Sequence, residues 1–231
     1  MRTVALLAWL LIPLAAVGYH YGPGQRELAL DEARLILVAA DQAALAGQWA
    51  AAANGYDAAL TKLPDDQRDT IRKVRLERAK VWMKDGKLPE ARADLEALVE
   101  DLTADPAAPA QLLTQARRVL ARSQYLMTWL MRLEGQPRAE WEPEIDSARQ
   151  NYRLLAEQAD QTERPAAEGD LEAAIRLARL DLEELQGLPI PSECKNCKSG
   201  QCKKPSRKPM RNPTTDSRSA GSGPPPDDSG S

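Results

Sequence analysis

The stretch that decides the fold runs from Ala33 to Pro64 and reads ARLILVAADQAALAGQWAAAANGYDAALTKLP. One apolar pattern with helical spacing lies before Gly47 and a second lies after it, and Pro64 ends the second pattern. Their stripes are Leu35, Ile36, Ala39, Ala40 and Ala43, then Trp49, Ala52, Tyr56, Ala59 and Leu60. Glycine tolerates the left-handed backbone that ends a helix, so the stretch predicts two helices joined by a tight turn. Because neither stripe can be buried alone, we expect the helices to pack as a hairpin, with the small Ala52 at their contact.

This hairpin resembles a tetratricopeptide (TPR) repeat, a helix–turn–helix unit of about 34 residues. Counted from Ala33, the signature positions are occupied by Ala40, Gly47, Trp49, Ala52, Tyr56, Ala59 and Pro64. A second copy from Arg72 places Ala79, Trp82, Gly86, Leu88, Ala91 and Leu95 at the same relative positions. The chain departs from the family pattern at Ala43, Leu98 and Thr103. The resemblance implies an all-α protein of stacked helical hairpins, a TPR-like α-solenoid.

Composition and the positions of glycine and proline extend the all-α prediction to residues 25–187. The chain has 231 residues, of which 43% are hydrophobic but only 4% aromatic, and this favours thin packing of helix on helix. Glycine and proline breaks divide the region into about seven helices, forming three hairpins and a lone final helix from Ala166 to Leu185. The third hairpin pairs a long helix, Ala110 to Leu133, with a helix from Ala139 to Ala159. The inward residues expected in these last three helices are Leu113, Ala116, Leu120, Ser123, Met127 and Leu130, then Ile145, Ala148, Tyr152 and Leu155, then Leu171, Ile175, Ala178 and Leu182.

Residues 1–24 have the layout of an export signal. Arg2 precedes an uncharged apolar run from Val4 to Val17. Extended to Tyr21, the run would form a helix of about 27 Å, just long enough to span a bilayer. Tyr19 and Tyr21 favour an uncleaved anchor, whereas the small residues before Tyr19 suit a signal peptidase, so both alternatives stay open. The expected location is the cell envelope, either inner-membrane anchored and facing the periplasm or, if the signal is cleaved, secreted.

Residues 188–231 differ sharply in composition and predict a disordered tail rich in Cys, Lys and Pro. Its Cys194, Cys197 and Cys202 are all the cysteines of the chain. They could form a disulfide within or between chains, hold a metal with a fourth ligand from elsewhere, or have no role. The alternative function of the protein is therefore a thiol- or metal-binding module that uses this tail.

The catalytic inventory is small. The only histidine, His20, lies beside the apolar segment, which leaves none for a nucleophile–base pair. No glycine-rich phosphate loop follows a strand, because no segment has the pattern of a strand. We therefore expect a protein that is not an enzyme and that has no cofactor, no metal site and no nucleic-acid partner.

The TPR resemblance also implies a binding surface. In that family, five positions of the first helix face a concave groove, and in the second copy they are Lys73, Leu76, Lys80, Met83 and Lys84. Three cations and two long apolar side chains would suit an acidic, partly apolar peptide segment. The alternative is that the lysines only keep an exposed helix soluble. The predicted function is a non-catalytic protein–protein interaction module, an adaptor or scaffold exported to the cell envelope.

Overall fold

The computed structural model describes residues 23–189, together with Trp9, Ile12, Pro13, Gly18 and Tyr19. Eight helices and no strand occur in this part of the chain, which confirms the predicted all-α class. The helices are α1 (Pro23–Leu45), α2 (Trp49–Lys62), α3 (Arg68–Lys84), α4 (Leu88–Ala104), α5 (Ala110–Leu133), α6 (Arg138–Gln158), α7 (Arg164–Arg179) and α8 (Leu182–Gly187). Each of the first six packs against the next, while α8 packs against α5.

The same turn joins the helices of the first three pairs. Gly47, Gly86 and Gly135 have positive φ angles of 72°, 82° and 73°, a region that favours glycine. After each glycine, a backbone N–H donates to a carbonyl five residues earlier: Gln48 to Ala43 at 2.8 Å, Lys87 to Trp82 at 2.9 Å and Gln136 to Met131 at 2.9 Å. This bond is the mark of the Schellman helix end. The predicted breaks at these three glycines are thereby confirmed.

Small residues set the distance between α1 and α2. Ala52 and Ala59 of α2 are fully buried, as predicted. One turn from Ala52, a Cβ added to Gly55 would lie only 2.8 Å from the Cβ of Ala40 on α1. Gly55 therefore marks the close approach of the two helices, and the sequence analysis overlooked it.

Gly55→Ala should lower the free energy of unfolding by roughly 1 to 2 kcal/mol, because overpacking against Ala40 outweighs the better helix propensity of alanine. Gly169→Ala is the matched control, since a Cβ at Gly169 in α7 meets nothing within 4 Å. It should raise the free energy of unfolding by about 0.5 to 1 kcal/mol. Urea-induced unfolding measures both changes. Equal stabilisation by the two substitutions would contradict the close approach of α1 and α2.

The structure corrects the stripe predicted for α1. Of the predicted residues, Ala40 is buried, Ile36 and Ala43 are half-buried, and Leu35 and Ala39 are exposed, while the buried Ala33 was not predicted. Apolar residues lie around most of α1, so spacing alone placed the stripe partly off the buried side. The helix also begins at Pro23 rather than Gln25, because proline is well tolerated in the first turn.

α5 is the central helix of the array rather than a helix with one buried stripe. It packs against α3, α4, α6 and α8, and so it is buried on several sides. The buried residues include the predicted Ala116, Leu120 and Ser123, but also Leu126 and Trp129, while the predicted Leu113, Met127 and Leu130 are only half-buried. The stripe predicted for α6 is confirmed, since Ile145, Ala148, Tyr152 and Leu155 are all buried.

The predicted final helix from Ala166 to Leu185 is wrong, because the chain breaks it into α7 and α8. Asp181 caps α8 by accepting from the backbone N–H of Glu184 at 2.7 Å, and the Glu184 side chain accepts in return from the Asp181 N–H at 3.3 Å. Arg132 of α5, itself buried, donates to the carbonyls of Leu177 and Leu180 at the end of α7.

The break changes which leucine of α8 faces the core. Leu182, which was predicted to face inward, is exposed, whereas Leu185 is buried. The other three predicted residues, Leu171, Ile175 and Ala178, are half-buried.

An arginine with only 5% of its surface exposed ties α3 to α4. Arg72 donates to Asp101 at 2.8 Å and lies 2.8 Å from a carboxylate oxygen of Asp105. Hydrogen bonds from the Arg72 guanidinium lower the pKa of both carboxyl groups below the usual 3.8. The two carboxylates therefore stabilise the fold most when both are ionised.

Asp101→Asn/Asp105→Asn should unfold more easily than the natural chain at neutral pH. A carboxyl group whose pKa is depressed by folding contributes stability above its unfolded pKa and loses it as the pH falls through its folded pKa. The difference in free energy of unfolding should therefore shrink as the pH falls below about 4. Urea titrations at pH 7, 5 and 3 measure this trend. A difference that stays constant across the three would contradict the role given to Arg72.

Two regions that the sequence analysis singled out, the N-terminal apolar segment and the C-terminal tail, lie largely outside the described residues. Within the part of the chain that the structure describes, no helix is long and apolar enough to cross a membrane. The expected anchor from Val4 to Tyr21 lies outside the described residues except at five positions, and Cys194, Cys197 and Cys202 lie outside them altogether. Their roles stay predictions.

Candidate functional site

A pocket of about 390 Å³ opens where α3, α5 and α7 come together. α3 and α5 are the first helices of the second and third pairs, and α7 follows the third pair. Residues that are distant in sequence therefore meet in this pocket. We call this site the basic pocket; its lining residues are Lys80, Met83 and Lys84 of α3, Arg118, Val119 and Arg122 of α5, Tyr152 of α6 and Asp170 of α7.

Three of the five predicted groove residues line the basic pocket, namely Lys80, Met83 and Lys84. Lys73 is exposed on α3 but is not part of the lining. Leu76 is 1% exposed and packs in the core with residues of α4 and α5, so its side chain offers no surface to a partner. Contact of these residues with a peptide stays a prediction.

The sequence analysis missed the contribution of α5. Arg118 and Arg122 are four residues apart, so both project from one side of the helix, with Val119 beside them. Their spacing was visible in the sequence. What could not be seen was that this side of α5 faces Lys80 and Lys84, because α5, at 24 residues against 17 in α3, does not align with the second TPR copy.

Each cation of the pocket has a local partner. The contacts are Lys80 with Glu77 at 2.7 Å, Arg118 with Glu163 at 2.8 Å, Lys84 over the Trp49 ring at 4.5 Å and Arg122 beside the Tyr125 ring at 5.6 Å. The two ion pairs are substantially exposed to water, and such pairs contribute only about 0.2 to 1 kcal/mol. The carboxylate of a ligand could therefore compete for these cations at low cost.

The lining of the pocket carries a net positive charge, although two of its cations pair with carboxylates that lie outside the lining. Against four cationic side chains it holds one carboxyl group, that of Asp170. Loss of hydration raises the pKa of Asp170, although the positive charges of Arg122 and Arg118 act in the opposite direction. The arrangement attracts anions and surrounds them with the apolar Met83 and Val119.

A second, smaller pocket has no such imbalance. Its volume is about 300 Å³, and its lining residues are Glu172, Ile175, Arg176, Arg179, Leu180 and Glu184. The charges cancel, and Arg176 already pairs with Glu172 at 2.7 Å. Across residues 23–189, no group of His, Cys, Asp and Glu side chains is arranged to hold a metal ion. The basic pocket is therefore the stronger candidate for a binding site.

Comparison of the chain with protein-family models, with curated proteins and with solved structures finds no match. The TPR resemblance accordingly depends on the residues at its signature positions. The fold itself defines a class, that of all-helical proteins whose helices pack in consecutive pairs.

Proposed function

We propose that this chain is a non-catalytic protein–protein interaction module with a TPR-like array, whose basic pocket binds an acidic, partly apolar peptide segment of another protein. One observation carries the proposal: four cations from two helices surround an apolar patch in a single open pocket. A TPR-like role is further supported by the three matching glycine turns and by the predominance of first helices in the lining.

The chemistry of the pocket selects the kind of ligand. Lys80, Lys84, Arg118 and Arg122 favour carboxylates, and charges of one sign also speed the encounter with an oppositely charged partner. Met83 lines the pocket with 6% of its surface exposed, and this apolar surface would contact an apolar side chain of the ligand. A peptide that alternates acidic and apolar residues satisfies both features, because its carboxylates and its apolar side chains can reach different parts of the lining.

Lys84→Glu/Arg122→Glu should weaken the binding of such a peptide at least about tenfold, because two attractions become repulsions. Fluorescence anisotropy with a labelled peptide of alternating Glu and Leu measures the affinity, and thermal unfolding checks that the variant is folded. The affinity for the natural chain should also fall as salt rises, since screening acts over about 8 to 10 Å.

Arg149→Glu/Arg153→Glu on α6 is the matched control, because it changes the charge equally at two positions outside the pocket. A peptide with Gln in place of Glu should bind weakly to every form of the protein. A peptide affinity that does not change with salt and is unchanged in Lys84→Glu/Arg122→Glu would falsify the assignment of the pocket. Alkylation of Cys194, Cys197 and Cys202 should leave capture intact, whereas loss of function on alkylation would favour the thiol or metal module.

The proposed location is the cell envelope, on the strength of the apolar run from Val4 to Val17. If the segment is an uncleaved anchor, the protein should remain with membranes through a high-salt wash and begin at or near Met1. N-terminal sequencing of the protein from its native host measures this directly. A mature chain that begins at Tyr19 would show cleavage and favour a secreted protein.

A further inference from the structure

The outer side of α1 is apolar and uncovered. Leu28, Leu35, Val38 and Leu45 are 57%, 74%, 56% and 90% exposed, although such side chains are usually buried. The opposite side of the same helix packs on α2. Helical arrays normally end in a helix with a polar outer side, whereas within residues 23–189 the outer side of the first helix is apolar.

The exposed side has the spacing of a coiled-coil seam. Leu28, Asp31, Leu35, Val38, Gln42 and Leu45 follow one another at alternating intervals of three and four residues. Residues at this spacing form a continuous stripe that a second helix can cover with interlocking side chains. The two polar members, Asp31 and Gln42, divide the stripe symmetrically. In coiled coils, polar residues within the seam fix how the two helices align.

We propose that a second copy of this chain covers the stripe, with the two α1 helices antiparallel. A twofold axis between Ile36 and Leu37 places Leu28 opposite the partner's Leu45 and Leu35 opposite the partner's Val38. The same alignment puts Asp31 opposite the partner's Gln42, whose amide can donate a hydrogen bond to the carboxylate. Every residue of the stripe then meets a complementary one.

Charges beside the stripe agree with this alignment. Arg34 and Asp41 occupy positions along the same edge of the stripe. Within one chain Arg34 pairs with Asp31 at 2.9 Å and Asp41 accepts from the Tyr56 hydroxyl at 2.6 Å, and the antiparallel arrangement brings Arg34 of each copy near Asp41 of the other as a further partner. A parallel, in-register pair would instead bring each Asp31 against its own equivalent, and burying like charges together is unfavourable. The sequence of the helix is therefore complementary to itself in one direction only.

A lipid surface fits the stripe less well than a second copy. Helices that lie on membranes are rich in Lys and Arg along their polar side. α1 carries two cations, Arg26 and Arg34, against four carboxylates, those of Glu27, Asp31, Glu32 and Asp41. Pairing through α1 also leaves the basic pocket accessible, because none of the lining residues belongs to this helix. The inference is thus independent of the proposed function.

Sedimentation of the full-length chain in detergent and under reducing conditions tests self-association. The natural protein should show a concentration-dependent dimer, and Leu35→Glu/Val38→Glu should weaken that dimer at least about tenfold by placing four carboxylates in the seam. Ala50→Glu/Ala51→Glu is the matched control, since both alanines are exposed on α2 and outside the stripe. Thermal unfolding confirms that each variant remains folded. A monomeric natural protein, or a dimer that survives Leu35→Glu/Val38→Glu, would overturn the proposal.

Cross-linking tests the direction of pairing. The cysteine variants used for this test are made in the full chain with Cys194, Cys197 and Cys202 replaced by serine. Mixing chains that carry Leu35→Cys with chains that carry Val38→Cys should give a disulfide-linked dimer, while each variant alone should give much less. Efficient cross-linking of Leu35→Cys to itself would instead indicate parallel helices and reject the antiparallel alignment.

Discussion

The close approach of helices within each pair is the constraint on which the rest of the structure depends. No helix in residues 23–189 can bury its apolar side alone, and the small side chains where α1 meets α2 hold those two helices close together. The Cβ of Ala40 leaves no room for a side chain at Gly55, while the turn at Gly47 returns the chain at the required angle. Repetition of this turn at Gly86 and Gly135 makes an array from units that could not fold separately.

Arginine contacts then fix the pairs relative to one another. Arg78 bonds to Asp57 at 2.6 Å and to Asp94 at 2.7 Å, so one guanidinium joins α2, α3 and α4. Arg132 caps the end of α7 from within α5. Both guanidinium groups are largely shielded from water and make directed bonds, so replacing either arginine would leave its carboxylate or carbonyl partners without that bond. The fixed positions of α3 and α5 bring the four cations of the basic pocket together, and α7 adds one carboxyl group.

The two proposed interactions use different parts of the same architecture. The basic pocket depends on convergence of several helices, and its attraction to carboxylates is electrostatic. The stripe on α1 belongs to one helix at the end of the array, and its attraction is mainly hydrophobic. A dimer formed through α1 would carry two basic pockets, and a partner with repeated acidic segments could then engage both and gain affinity from the second contact.

The sequence by itself determined the all-α class and the three glycine turns, because periodicity and turn chemistry are local properties. The TPR resemblance, rather than periodicity, predicted three of the residues that line the basic pocket. Tertiary structure decided which side of α1 faces inward, since apolar residues surround that helix and spacing cannot choose between its sides. It also decided the burial of α5 and the break before Leu182, which depend on contacts with other helices. Arg118 and Arg122 share a pocket with Lys80 and Lys84 only because helices far apart in the chain pack together, and no local sequence pattern predicts this arrangement.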